Sequence, residues 1–237
     1  MEIRHYLALT ASEFTSAADF PSHCAWMACH FSPYGTGLSN LPCSLPENSL
    51  LTLNDRISFQ EHNPERIREQ LIQAASTLKC SAVLLDFQQE NSRELKELAA
   101  YLSSGLPCPT VVSDSYADGL DCPVFLRPCP HHIALPDHTA PWHNRELWLD
   151  LAMNAEIIFL TDTGASIHDM PWGEIPEGGF ADTPLHCHYA METGKDSARF
   201  RLWRTQEDLQ ALKDAAITLG IRNFVGLYQE FHRKPAK

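Results

Sequence analysis

Basic residues are scarce in this chain. Eighteen Lys and Arg stand against thirty Asp and Glu, a formal charge of −12 with His neutral. Nucleic acids and anionic membrane surfaces are bound through a basic footprint, so neither is an expected partner. Long apolar runs are missing as well, since none approaches the roughly 20 residues that cross a bilayer. The opening MEIRHYLALTASEF has no basic start, long apolar stretch or small-residue cleavage site. The expectation is a soluble, cytoplasmic protein. Neither Gly-x-Gly-x-x-Gly nor Gly-Lys-Ser/Thr occurs, so nothing marks a nucleotide cradle. There is no Gly-x-Ser-x-Gly elbow for a serine hydrolase. Eight cysteines are present without a single Cys-x-x-Cys, which removes the commonest zinc and redox spacings. Reduced thiols are expected in that compartment. With no internal repeat and no low-complexity linker, residues 1–237 read as one domain.

Three amphipathic helices are legible. Over 64–79, Asn63 caps and Pro64 occupies the first turn, where its missing N–H costs nothing. Ile67, Leu71, Ala74, Ala75 and Leu78 then fall on one face. Over 92–103, Asn91 with Glu94 resembles a capping box, and Leu95, Leu98 and Leu102 make the stripe. Over 206–219, Thr205 with Asp208 caps, and Gly220 ends the helix. Each helix is followed by a short apolar run (81–87, 110–113 and 223–228) of the composition that suits strands buried on both faces. Further strands are expected at 25–31, 50–53, 124–126, 146–151 and 185–190. Eight strands with helices between them, in about 200 residues, predict a reduced (β/α)8 TIM-barrel-like α/β fold. The proline-rich stretch 105–141 is where helices should give way to turns. Segments 156–161 and 166–170, around Asp162-Thr163-Gly164, read as an extra β-hairpin. Segment 198–203 should pair with the strand before Glu192–Lys195. The end, His232 to Lys237, is a basic tail.

Ligands of parallel barrels bind at the C-terminal ends of the strands. In this reading those ends carry Asp55, Asp86, Gln88, Asp114, Arg127, Asp150, His188, Tyr189, Tyr228 and Glu230. Tyr34, Trp142, Trp172, Tyr189 and Tyr228 are aromatic surfaces on which a sugar can stack. Gly35-Thr36-Gly37 forms a loop over the mouth. His186-Cys187-His188 would place two imidazoles on one face of a strand, whereas His131-His132, after Pro128 and Pro130, reads as surface.

The run Ala82-Val-Leu-Leu-Asp86-Phe-Gln88 resembles the signature strand of the family-18 glycoside hydrolases, the chitinase-like barrels. That strand ends Asp-x-Glu after apolar residues. The resemblance implies that Asp86 orients the acetamido group of a substrate sugar, which acts as nucleophile, and that Gln88 stands where the family has its catalytic acid. Two residues apart, both side chains project to one face. An amide has the shape of a carboxyl but delivers no proton near neutral pH. Leu84 and Ala82 occupy positions where the longer motif has further Asp residues. Counted from 25–31 this strand is third, one short of the family's fourth, unless 3–9 adds an earlier one. The resemblance thus implies an oligosaccharide or small-molecule ligand that is bound, with hydrolysis left open by the amide at 88. Asp86 and Glu230 are the candidate catalytic carboxylates, with Glu90 and Asp114 as other acids within reach. Gln88, Asp114, His188, Tyr189 and Tyr228 are the candidate substrate-binding residues. No metal or cofactor is expected on this reading. Two alternatives stay open: a metal-dependent hydrolase using His186 or His188 with Asp86 or Glu230, and a non-catalytic interaction protein.

Overall fold

The computed structural model of the chain describes residues 2–9, 21–34, 37–58 and 63–232. The strands are β1 (Arg4–Ala8), β2 (Cys24–Phe31), β3 (Leu38–Ser39), β4 (Leu50–Asn54), β5 (Ala82–Asp86), β6 (Thr110–Ser113), β7 (Val124–Leu126) and β8 (Leu147–Leu151). They continue with β9 (Ala155–Thr161), β10 (Gly164–Asp169), β11 (Phe180–Asp182), β12 (Cys187–Thr193), β13 (Ser197–Trp203) and β14 (Asn223–Leu227). The helices are α1 (Pro64–Leu78), α2 (Arg93–Ser103), α3 (Leu135–Thr139), α4 (Gln206–Thr218) and α5 (Tyr228–His232). The chain divides into two compact units. The first comprises Met1–Arg127, Trp142–Asp150 and Ile221–Gln229, and the second Pro128–Pro141, Leu151–Gly220 and Glu230–Lys237.

The first unit is a closed parallel barrel. Its eight staves run β1-β2-β4-β5-β6-β7-β8-β14, and β14 pairs with β1 to close the ring. The short β3 adds antiparallel to β2. Along β5, Ala82 and Leu84 belong to the barrel core with Tyr6, Leu50, Val111, Phe125, Trp148 and Val225. Tyr6 and Trp148 stack there at 5.2 Å. Every residue of β5 is buried, so its outward side chains are covered too. The helices of this unit supply matching apolar stripes: Ile67, Leu71, Ala75 and Leu78 on α1, and Leu95, Leu98, Ala99 and Leu102 on α2.

Seven of the eight expected staves are in the ring. The exception is 185–190. Cys187–Thr193 instead pairs antiparallel with β11 and β13, so His188 and Tyr189 do not stand on a barrel strand. The missing stave is β1, which makes β5 the fourth strand of the barrel. The reason is visible in the side chains. A stave is covered on both faces, and HYLA in β1 meets that demand better than CHYAMET, whose outer half is exposed.

The second unit is built on a five-stranded antiparallel sheet, β10-β9-β13-β12-β11, with Ala155, Ile157, Met170 and Trp203 as its core. The expected hairpin is β9–β10, and 198–203 pairs with the preceding strand as read from the alternation. Helix ends follow local chemistry. Asn63 accepts from Arg66 N, and Thr205 and Asp208 form a reciprocal capping box. α2 is capped by Ser92 instead of Asn91, because Asn91 lies at φ 55°, outside the extended range a cap needs. Gly220, at φ 95°, ends the segment after α4. Residues 35–36 of the glycine loop and 233–237 of the basic tail lie outside the described residues.

Candidate functional site

Strand alternation sets the site. Ala82 and Leu84 face the barrel interior, so Asp86, two residues on, faces the same way at the C-terminal end of the fourth stave. Its residue exposure is only 8%. Gln88 follows on the rim, exposed, and its Nε2 donates to both Asp86 oxygens, at 3.5 Å and 3.4 Å. The expected juxtaposition of residues 86 and 88 is therefore present as a carboxylate–amide pair.

The segment after β5 is held from two sides. Asp55, next to the end of β4, accepts from Gln88 N at 3.0 Å and from Gln89 N at 2.7 Å. On the other side Ser113 Oγ donates to Phe87 O at 3.0 Å, and the Tyr116 hydroxyl donates to Gln89 O. Gln88 is thus positioned by backbone bonds on both flanks. Burial pushes the Asp86 carboxyl up from its ordinary value, and the carboxylates of Asp55 and Asp114 add to this against the Gln88 amide. Asp114 is brought into the same acidic rim, where Arg127 Nε pairs with it at 3.2 Å. Glu90 is exposed.

The other candidates stand on different elements. Tyr228 opens α5 and is half-buried. Glu230, His188 and Tyr189 are in the second unit. The Glu230 carboxylate accepts from Met153 N at 3.1 Å. His188 Nδ1 lies 2.7 Å from Asp208 Oδ2, and its ring stacks on Trp203. Tyr189 packs against the exposed Phe180. His186 does not share the face of His188. It sits in a turn at φ 50° before β12 begins, and its carbonyl accepts from Arg204 Nε. Among the described residues no group of three His, Cys, Asp or Glu side chains is arranged to hold a metal ion.

Two features escaped the sequence reading. His131 is fully buried instead of superficial, with Nδ1 3.3 Å from Glu156 Oε1. Its burial has no signature in a proline-flanked His pair. The second is a cleft of about 660 Å³ at the ends of β14 and β1, lined among others by Trp26, Met27, Asn40, Cys43, Arg56 and Leu227. Nothing in the sequence marked it beyond the option of an earlier strand over 3–9, which is β1 in the ring.

No family model and no curated protein sequence matches the chain. Solved structures do. The chitinase of Chromobacterium violaceum superposes with a TM-score of 0.61 at 7% identity, covering 98% of this chain and 96% of its own. The chitinase-like agglutinin of Robinia pseudoacacia gives 0.60 at 13% identity, with the same coverage of 98% and 96%. A family-18 chitinase of Cycas revoluta in complex with (GlcNAc)3 gives 0.57 at 12%, covering 94% of each chain. The fold is therefore that of the chitinase-like TIM barrels.

Proposed function

We propose that this chain is a carbohydrate-binding barrel that holds an N-acetylated oligosaccharide over Asp86 without cleaving it. One observation carries the reading. Asp86 ends the fourth stave inside the mouth, and the side chain beside it is the Gln88 amide, at the position that the motif resemblance assigns to the acid. A fold by itself does not bring a function, so the argument rests on that pair. Glycosidic cleavage needs a carboxylic acid to protonate the leaving oxygen. Gln88 donates a hydrogen bond but releases no proton near neutrality. Asp86 remains an acceptor suited to an acetamido N–H. Asp114 accepts Arg127 and is occupied as an ion pair. Chitinases of the same fold, one holding (GlcNAc)3, and a chitinase-like agglutinin are consistent with a sugar ligand.

Calorimetric titration with N-acetylglucosamine oligomers tests the reading, together with a reducing-sugar assay on the same mixtures. Binding without sugar release is expected, with affinity lost in Asp86→Ala. Oligomers that neither bind nor react would remove the proposal, and release by the wild-type chain would remove its non-hydrolytic part.

A further inference from the structure

The cleft between the ends of β14 and β1 and the middle of β2 is apolar apart from Asn40, Gln229 and Arg56. Trp26 is held in place by its Nε1 donating to Asn40 O at 2.8 Å. Arg56 is the single charged residue among those described around the cleft. It is exposed, and its guanidinium has no ion-pair or hydrogen-bond partner among the described residues.

That is exceptional in a chain with thirty acidic and eighteen basic residues. Arg4, Arg93, Arg127, Arg199 and Arg201 each pair with a carboxylate. Arg68, Arg145, Arg204 and Arg222 donate to carbonyls. Among the described arginines only Arg66, on α1, shares the state of Arg56. The adjacent Asp55 forms no ion pair with Arg56; its carboxylate instead accepts from the amides of Gln88 and Gln89. Pockets for small ligands are typically apolar and aromatic, with a few polar groups that set orientation. A free guanidinium at such a wall presents a planar fork that matches a carboxylate.

We propose that this cleft receives the acidic residue of a carboxylate-bearing oligosaccharide, with Arg56 holding the carboxylate beside Trp26. The inference rests on the carbohydrate reading above and specifies its ligand class: an acidic glycan in preference to a neutral one.

The test compares two probes on the full chain. One is a tetrasaccharide alternating N-acetylglucosamine and glucuronate, the other the N-acetylglucosamine tetramer. Affinity is read by calorimetry at low salt. Location is read by the rate at which iodoacetamide alkylates Cys43, a cleft residue and the one exposed cysteine of the eight. The acidic probe is expected to bind about tenfold tighter than the neutral one, to lose that advantage as salt rises, and to slow Cys43 alkylation. Arg56→Gln should reduce the preference to near unity by weakening the acidic probe, and Arg56→Lys should restore part of it. Equal affinities for the two probes, indifference to Arg56→Gln, or unprotected Cys43 would overturn the acidic-ligand inference while the carbohydrate reading stands. Failure of both probes to bind would remove both.

Discussion

A carboxylate lying 8% exposed, with two other carboxylates raising the cost of its charge, destabilises the fold that holds it. Asp86 takes up its proton at a higher pH when folded than when unfolded. At neutral pH its ionised form therefore opposes folding, and the penalty disappears as pH falls through the folded value towards 3.8 and below. Asp86→Asn should raise the thermal midpoint at pH 7, by a margin that shrinks as the solution is acidified towards pH 4. At the same time it should weaken oligosaccharide binding. Thermal melts across pH beside calorimetry check both halves. A stabilised variant that binds as the wild type does would show that the charge has no part in recognition. Gln88→Glu tests the neighbouring position. The new carboxyl would sit against Asp86, and two like charges at that distance push one proton affinity up. That is the state a general acid requires, and general acid–base catalysis contributes roughly 10²–10⁴-fold. Sugar release at least about 100-fold above the wild-type rate is the expected result in an end-point assay.

At the scale of elements, each unit is held by its own core and its own caps. Leu84 is fully buried in the barrel core, two residues before Asp86. Truncation to Ala should cost about 2–5 kcal/mol, as buried leucines do, measured by denaturant unfolding. Because β5 is the stave that aims Asp86, loss of glycan affinity should accompany it. In the second unit, Thr205 and Asp208 cap α4 reciprocally. Thr205→Ala should cost about 1 kcal/mol, and Thr205→Ser much less, since a serine hydroxyl also accepts from the N3 amide. Asp208 has a second task there, as the partner of His188.

Across the whole molecule, the two units should respond differently to acid. Burial lowers the proton affinity of the His131 imidazole below its ordinary value of 6.5, although Glu156 pulls the other way. Unfolded, this side chain takes its proton near 6.5; folded, it does so only at a lower pH. Between those limits the unfolded chain binds more protons, so stability declines as pH drops below about 6.5, at no more than about 1.4 kcal/mol per pH unit from this one group. Hydrogen exchange followed by mass spectrometry at pH 7.5 and pH 5.5, corrected for intrinsic rates, should show protection lost in β12 and β13 in excess of β4 and β5. His131→Gln should reduce that difference.

Local pattern alone determined much of this protein. The helices at 64–78, 93–103 and 206–218 follow from periodicity and capping residues. The antiparallel pairs β9–β10 and β12–β13 follow from alternation and the turn at Asp162-Thr163-Gly164. The shared face of Asp86 and Gln88 follows from the two-residue repeat of a strand. Each of these depends on neighbours within a few positions, which the order of residues states directly. Tertiary structure decided which strands close the ring. The segments 4–8 and 187–193 are both short and partly apolar, and alternation names no pairing partner. The choice fell to burial on both faces, a long-range quantity, which Tyr6, Leu7 and Ala8 satisfy and the exposed Met191, Glu192 and Thr193 do not. The same holds for the grip of Asp55 on Gln88, the burial of His131 and the lack of a partner for the Arg56 guanidinium among the described residues. Each is settled by which distant side chains arrive beside it, and folding alone brings those together.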